Sequence, residues 1–283
     1  VEKGAVITAK DVDTVYEVPI VFRKEGLDEL IIRLLHLETG EPNLREWDAM
    51  VQRIKHPKHE VSIALVGKYI GLKESYKSLA EALVHGGIEH DTKVNINWIE
   101  SEDIDRLGSE QVLLEADGIL IPGGFGVRGI EGKIETIRYA REQKIPFLGL
   151  CLGMQCAVIE FARNVAGLKD ANSAEFDPAT PYPVIHLMAS QEGLSDKGGT
   201  MRLGAYPCNI QEGTLTHKAY GVLEVKERHR HRYEFNNAYR KQLTDKGLIL
   251  SGLSPDGHLV EIIELREHPW FLATQFHPEF NSR

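Results

Sequence analysis

The apolar positions of the central chain fall in short unbroken runs rather than in strict alternation. Val61-Ser62-Ile63-Ala64-Leu65-Val66-Gly67, residues 93–99, Asp117-Gly118-Ile119-Leu120-Ile121-Pro122 and Ile145-Pro146-Phe147-Leu148-Gly149-Leu150 have the length and continuity of strands buried on both faces. Two stretches between them repeat with helical period: 74–85, with Tyr76, Leu79, Ala80 and Leu83 on one face, and 130–141. Strands alternating with helices predict an α/β domain on a doubly wound, mostly parallel sheet flanked by helices. Beyond about Leu168 the pattern weakens. It predicts strands at 184–188, 200–210 and 221–225, a helix at 236–246, and a hairpin of 248–253 with 258–265 across Pro255-Asp256-Gly257. A last strand, 271–276, delivers His277-Pro278-Glu279. The sheet is therefore expected to carry added antiparallel strands near the C-terminus.

Residues 1–57 read differently. Gly4-Ala5-Val6-Ile7-Thr8-Ala9 predicts a strand, and 28–37 an amphipathic helix with Leu30, Ile31, Leu34 and Leu35 on one face. Asn43 is placed to cap a second helix, which runs to about Ile54 before Pro57. This segment is too small to hold its own core. The expected division is 1–57, the end of an upstream domain plus a helical linker, and 58–283, the main domain.

One junction inside the main domain carries chemistry. The strand ending at Leu150 gives way at Cys151 to a helical pattern in which Met154, Val158, Phe161 and Ala162 share a face. Gly149 and Gly153 flank the cysteine at two residues on either side, as in a Gly-x-Ser-x-Gly nucleophile elbow with sulfur in place of oxygen. The turn would lift the thiol to a helix N-terminus, where free N–H groups and the helix dipole favour thiolate. A lone free cysteine is more often a buried structural residue, but the glycines and the strand-to-helix switch reverse that reading.

Composition narrows the class of function. The chain has 283 residues, 42% of them apolar, and a net charge of −9. Its pI of about 5.8 argues against a nucleic-acid surface. No run reaches the roughly 18 apolar residues of a membrane span, and no signal peptide is visible. The three cysteines, Cys151, Cys156 and Cys208, lack framework spacing, which predicts free thiols in a reducing, cytoplasmic compartment. With neither Cys-x-x-Cys nor His-Glu-x-x-His, no metal site is expected.

A thiol nucleophile needs a base and a group to orient it. His277 and Glu279 are two residues apart, and in extended chain their side chains would point the same way and meet. A lone His-x-Glu is usually a surface pair; beside an elbow cysteine it completes a Cys-His-Glu set. Gly123 and Gly124 end a strand expected beside the elbow strand, so backbone N–H groups there and at Leu152 could form an oxyanion hole. Gly-Gly-Phe-Gly lacks the following Lys-Ser/Thr of a nucleotide P-loop. Glu227-Arg228-His229-Arg230-His231-Arg232 reads either as a solvated face or as the source of an arginine for a substrate carboxylate.

These motifs, Pro-Gly-Gly-Phe-Gly, Gly-Leu-Cys-Leu-Gly-Met-Gln and Gln-Phe-His-Pro-Glu-Phe in that order, resemble the class I (triad) glutamine amidotransferases. More narrowly, Gly67-Lys68-Tyr69, Arg128-Gly129-x-Glu131-Gly132, Gly198-Gly199-Thr200-Met201-Arg202-Leu203-Gly204, the Arg-His-Arg-His-Arg run and the early Lys10-Asp11-Val12-Asp13-Thr14-Val15-Tyr16 resemble the CTP synthase family. The resemblance covers nearly the whole chain. It implies a flavodoxin-like fold in which Cys151 attacks glutamine, His277 shuttles the proton and Glu279 orients it. Gly124 and Leu152 would supply oxyanion N–H groups, and Gly153, Met154, Gln155, Glu175 and Arg232 would complete the glutamine site, Glu175 answering the ammonium and Arg232 the carboxylate. It further implies ammonia transfer to a synthetase domain of the same polypeptide, where ATP and Mg2+ serve amination of UTP to CTP. Lys10, Asp11 and Val12 would belong to the ATP site, GTP would activate through Phe125 and Arg128, and the protein would form a homo-oligomer, a tetramer, through the synthetase domain. The glutaminase part needs no cofactor. Most of the synthetase domain is absent from the chain, which could hydrolyse glutamine but not make CTP. Two alternatives stay open: the glutaminase subunit of another amidotransferase, or a non-catalytic regulatory module whose triad is unassembled.

Overall fold

The computed structural model describes residues 5–187 and 201–283. The chain divides into two compact units, one of residues up to Glu60 with Gly86–Lys93, the other of Val61–His85 with Val94–Arg283.

The first unit is helical: α1 (Val18–Lys24), α2 (Leu27–Leu35) and α3 (Arg45–Lys55). The N-cap of α3 is Leu44 rather than the expected Asn43, which lies one residue before it and whose Oδ1 accepts the Arg45 N–H at 3.1 Å. Trp47 Nε1 donates to the Tyr16 carbonyl (2.7 Å), and Lys55 pairs with Glu17 (2.8 Å) and Asp13 (3.0 Å). The expected strand at the start does not form: 6–10 are irregular, and Gly4 lies outside the described residues. A single short apolar run with no neighbouring strand has nothing to pair with. On α2, Leu30 is buried but Ile31, Leu34 and Leu35 stay exposed, so the apolar face is present but uncovered within this unit.

The second unit is built on nine strands: β1 (His59–Gly67), β2 (Thr92–Glu100), β3 (Gly118–Ile121), β4 (Phe147–Leu150), then β7 (Arg202–Ile210), β8 (Glu224–His231), β10 (Leu248–Leu253), β11 (Val260–Leu265) and β12 (Phe271–Thr274). Their order is β2-β1-β3-β4-β12-β11-β10-β7-β8. The ladders from β1 through β3 and β4 to β12 are parallel; those from β12 through β11, β10 and β7 to β8 are antiparallel. A small second sheet holds β5 (Ala171–Ser173), β6 (Tyr182–His186) and β9 (Glu234–Phe235). The α/β expectation and the added antiparallel strands both stand.

The helices are α4 (Lys77–Glu89), α5 (Ser101–Leu107), α6 (Ser109–Leu113), α7 (Ile130–Gln143), α8 (Leu152–Asn164), α9 (Leu215–Tyr220) and α10 (Arg240–Thr244). Helices α5 and α6 were not expected; they are short and charged, with little periodicity to read. Helix α8 corrects the amphipathic reading. Every side chain from Leu152 to Ala162 is buried, because the helix packs against β3, β4 and β12 of the large sheet, β5, β6 and β9 of the small one, and α7. Its one buried carboxylate, Glu160, is met by Arg141 at 2.8 Å. The predicted helix at 236–246 shortens to a 3-10 turn plus α10. The strand expected at 221–225 starts at Glu224 and runs on through the Arg-His-Arg-His segment. Met188 and Gly198 to Thr200, parts of predicted strands and of a quoted motif, lie outside the described residues. Among those residues no helix is long and apolar enough to cross a membrane.

Parallel pairing sets the functional geometry. Strands β3, β4 and β12 lie side by side with β4 in the middle, and Ile121↔Gly149 and Thr274↔Leu150 are partners near their carboxyl ends. Gly123, Cys151 and His277 therefore leave the sheet at one edge, where open α/β sheets place their sites.

Candidate active site

Cys151 occupies the corner between β4 and α8 with φ 52° and ψ −99°. A positive φ in a residue bearing Cβ costs about 1–3 kcal/mol and persists only when its surroundings hold it. Two main-chain bonds do so: the Cys151 N–H donates to the Thr274 carbonyl (2.7 Å), and its carbonyl accepts from the Gln155 N–H (3.2 Å). The flanking glycines are required by space. A Cβ on Gly153 would stand 2.3 Å from the Ile121 carbonyl oxygen, and one on Gly149 would stand 2.9 Å from the Gly153 backbone. Leu152 opens α8, so its N–H has no acceptor within the helix.

His277 follows β12. Its N–H donates to the Arg228 carbonyl (2.8 Å), and Nδ1 meets Glu279 Oε1 at 2.8 Å. The pair meets through a tight turn, not extended chain: Pro278–Asn281 form a 3-10 turn that folds the carboxylate back. With Nδ1 engaged, Nε2 faces the thiol. Gly123 fits between them, for a Cβ there would lie 2.7 Å from His277 Cε1, 3.4 Å from Nε2 and 3.5 Å from Cys151 Cβ. Burial alone pushes the imidazole down, but hydrogen bonds to Cys151 and Glu279 outweigh it and raise His277 to about 10. The ring lies between the sulfur and a carboxylate.

Beside Cys151 opens a small cavity lined by Gly124, Phe125, Gln155, Glu175, Met201, His231, Arg232 and Tyr233. Gln155 is fixed in one orientation. Its Nε2 donates to the Tyr233 carbonyl (3.1 Å) and to Gln275 Oε1 (3.4 Å), which leaves its oxygen for the cavity. Glu175 Oε1 accepts the Gly126 N–H at 3.1 Å, tying the carboxylate to the glycine loop. Gly153 and Met154 are buried in the first turn of α8 and do not line the cavity. On the far side of Cys151 a wider cleft is lined by Lys68, Tyr69, Gly123, Arg228, Arg230 and His277, among others.

Phe125 borders both spaces and is 45% exposed, with Arg230 over its ring at 6.0 Å. Arg128 is engaged by Glu102 (2.8 Å) and lies over the Tyr69 ring at 4.7 Å. Lys10, Asp11 and Val12 lie in an irregular segment of the first unit, where Lys10 pairs with Glu25 (2.8 Å). Met201, His231 and Tyr233 also line the cavity; their motifs were part of the resemblance, but no site role was expected of them. The signal for His231 was available as a period of two: on β8, Arg228 and Arg230 are exposed while Glu227, His229 and His231 are buried.

A family model for class-I glutamine amidotransferases matches residues 72–283. The chain belongs to this family. Over all 283 residues it is 60% identical to a CTP synthase of Carboxydothermus hydrogenoformans, and over 279 residues 60% identical to one of Caldanaerobacter subterraneus. The chain spans about half the length of these relatives, 53% and 52%. A solved glutaminase domain of Trypanosoma brucei CTPS with bound acivicin is similar in fold, with a TM-score of 0.73 and 39% identity over 78% of this chain and 86% of that one.

Proposed function

We propose that the chain hydrolyses glutamine through Cys151, His277 and Glu279. The thiolate attacks the carboxamide carbon, and the tetrahedral oxyanion is received by the N–H groups of Gly124 and Leu152, each such donor being worth about 3–4 kcal/mol. His277, protonated and oriented by Glu279, gives its proton to the departing nitrogen. Ammonia leaves and a glutamyl thioester remains on Cys151. The now neutral imidazole takes a proton from water, whose oxygen attacks the thioester, and glutamate is released with the thiolate restored. Gln155 and Glu175 receive the α-ammonium and Arg232 the α-carboxylate in the small cavity. The observation that supports this most is the convergence of an elbow thiol at positive φ and a doubly hydrogen-bonded imidazole at the ends of adjacent parallel strands.

In the longer protein, the ammonia serves amination of UTP to CTP at the expense of ATP and Mg2+ in a synthetase domain. Residues 1–57 belong to that domain and its linker, with Lys10, Asp11 and Val12 near ATP; the protein is a cytoplasmic homo-tetramer. GTP acts at Phe125 and Arg128, beside the glycine loop. Glutamate release from glutamine, followed with and without GTP, tests the reading. Release that GTP accelerates supports it; no release at any glutamine concentration would leave the regulatory-module reading standing.

A further inference from the structure

Strand β8 carries the site on its backbone. The Arg228 carbonyl accepts from His277, the Arg230 carbonyl lies 3.8 Å from Cys151 Sγ, and just past the strand the Tyr233 carbonyl holds Gln155. Yet β8 is the last strand of the sheet. Its partner β7 pairs with β10 only at Ile210 and Asn209 among the described residues, while the β7–β8 ladder continues to Arg202↔His231. The end of the ribbon that reaches the site is thus beyond the β7–β10 ladder, and its β-type contact there is the bridge of Arg228 to His277, just after β12.

Besides the Arg228–His277 bridge and the pairing of Glu234 and Phe235 with β6, that end is held by a buried carboxylate on another strand. Glu261 of β11 accepts from Arg202 Nη2 at 2.7 Å and meets His229 Nε2 at 2.9 Å. Arg202 extends the contact to Glu234 at 3.2 Å. Both ring nitrogens of His229 face oxygens, the second being the Glu227 carbonyl at 3.0 Å, so the ring is held at both ends. Glu261, Glu234 and His229 are fully buried and Arg202 nearly so. The backbone of Glu261 does a second job: its carbonyl accepts the Gln275 N–H (2.8 Å), two residues before His277, and Gln275 in turn accepts from Gln155.

We propose that Glu261, which does not line the cavity, is a positioning residue for glutamine recognition: through Arg202 and His229 it seats the free end of the β7–β8 ribbon so that Arg232 and the Tyr233 carbonyl stay in register with Gln155 and Cys151. The inference rests on the reading that the small cavity takes glutamine. Buried ion pairs are poor sources of net stability and can be exchanged for apolar pairs without loss of fold. A network of this kind in a ribbon is therefore accounted for by the geometry it fixes.

The test is the double variant Arg202→Met/Glu261→Leu beside Glu261→Gln. Three quantities are read: thermal melting, KM and kcat for glutamate release, and the rate of Cys151 alkylation by iodoacetamide, a small neutral reagent that needs no recognition. The double variant is expected to fold, to raise KM at least about tenfold, as displacement of a binding group by about 1 Å does, and to keep alkylation within about twofold of the parent. Glu261→Gln, which retains one acceptor, is expected to show a smaller rise in KM. Parental KM in a folded double variant overturns the proposal, as does a fall in alkylation that tracks the rise in KM. Should the double variant fail to fold, Glu261→Gln decides: a raised KM with unchanged alkylation supports the proposal, and parental KM overturns it. A parent whose Cys151 is not protected by glutamine and which releases no glutamate removes the functional reading and this inference with it.

Discussion

The two halves of the large sheet are held by different physics. Around β4 the parallel strands are apolar: Ile119, Leu120, Ile121, Phe147, Leu150, Phe271 and Ala273 are all buried, with α7 and α8 packed on one face and Leu65, Ile70 and Leu79 on the other. At the end of β7 and β8 near the site the buried positions are Arg202, Glu227, His229 and His231, with Glu234 and Glu261 beside them, while Cys208 and Ile210 at the other end of β7 join an apolar cluster. Apolar packing fixes atoms without dependence on charge state, and the strained corner that carries the thiol is built there. A substrate bearing an ammonium and a carboxylate needs charged partners, and these come from the polar ribbon and the loops beside it. Under the proposed function, bond-breaking falls to the apolar half and recognition to the polar half.

The largest expected effect lies in the apolar half. Cys151→Ala should lower glutamine hydrolysis by about 10⁴-fold or more while leaving the melting temperature nearly unchanged, since the thiol supplies the covalent step but little packing. Steady glutamate release and differential scanning calorimetry check the two halves of that statement. Next is the polar half: Arg232→Ala should cost about 2–5 kcal/mol of glutamine binding, seen as raised KM with far less change in stability. An unchanged KM would return Arg232 to a solvated face and erase the division of labour. Smaller again is Gly153→Ala, whose methyl would overlap the Ile121 carbonyl. Overpacking of this kind costs about 1–3 kcal/mol, so denaturant midpoints should fall.

The smallest effect separates the halves by pH. Burial pushes Glu234 up to about 8 in spite of Arg202. Its folded value lies above its unfolded one, so the stability it contributes is full below the ordinary carboxylate range and is lost as pH rises through about 8. Amide exchange in β8, corrected for intrinsic rates, should quicken from pH 6 to pH 9 while that in β4 stays level. Equal quickening in both strands would mean the halves open as one unit.

The same contrast explains what the sequence disclosed. Continuous apolar runs announced β1, β3, β4 and β12, and the glycines around Cys151 announced the elbow, because burial on both faces and close backbone approach leave few residue choices. The continuation of β8 beyond Val225 was hidden because its buried face is Glu227, His229 and His231, which no hydropathy pattern marks as interior. Their burial depends on Arg202 and Glu261, distant in sequence. The His277–Glu279 contact was legible as a pair but not in form, since the turn after Pro278 replaced the extended chain. The exposed face of α2 was read as a helix face, and nothing in the residues told what covers it.

The central claim is that Cys151 forms a glutamyl thioester. Acid quenching during turnover, followed by mass analysis of the peptides, tests it most directly. The expected result is one glutamyl group on the peptide bearing Cys151, absent from Cys151→Ala. Glutamate release with no such adduct in any quenched sample, or an adduct carried by Cys156 or Cys208, would contradict it.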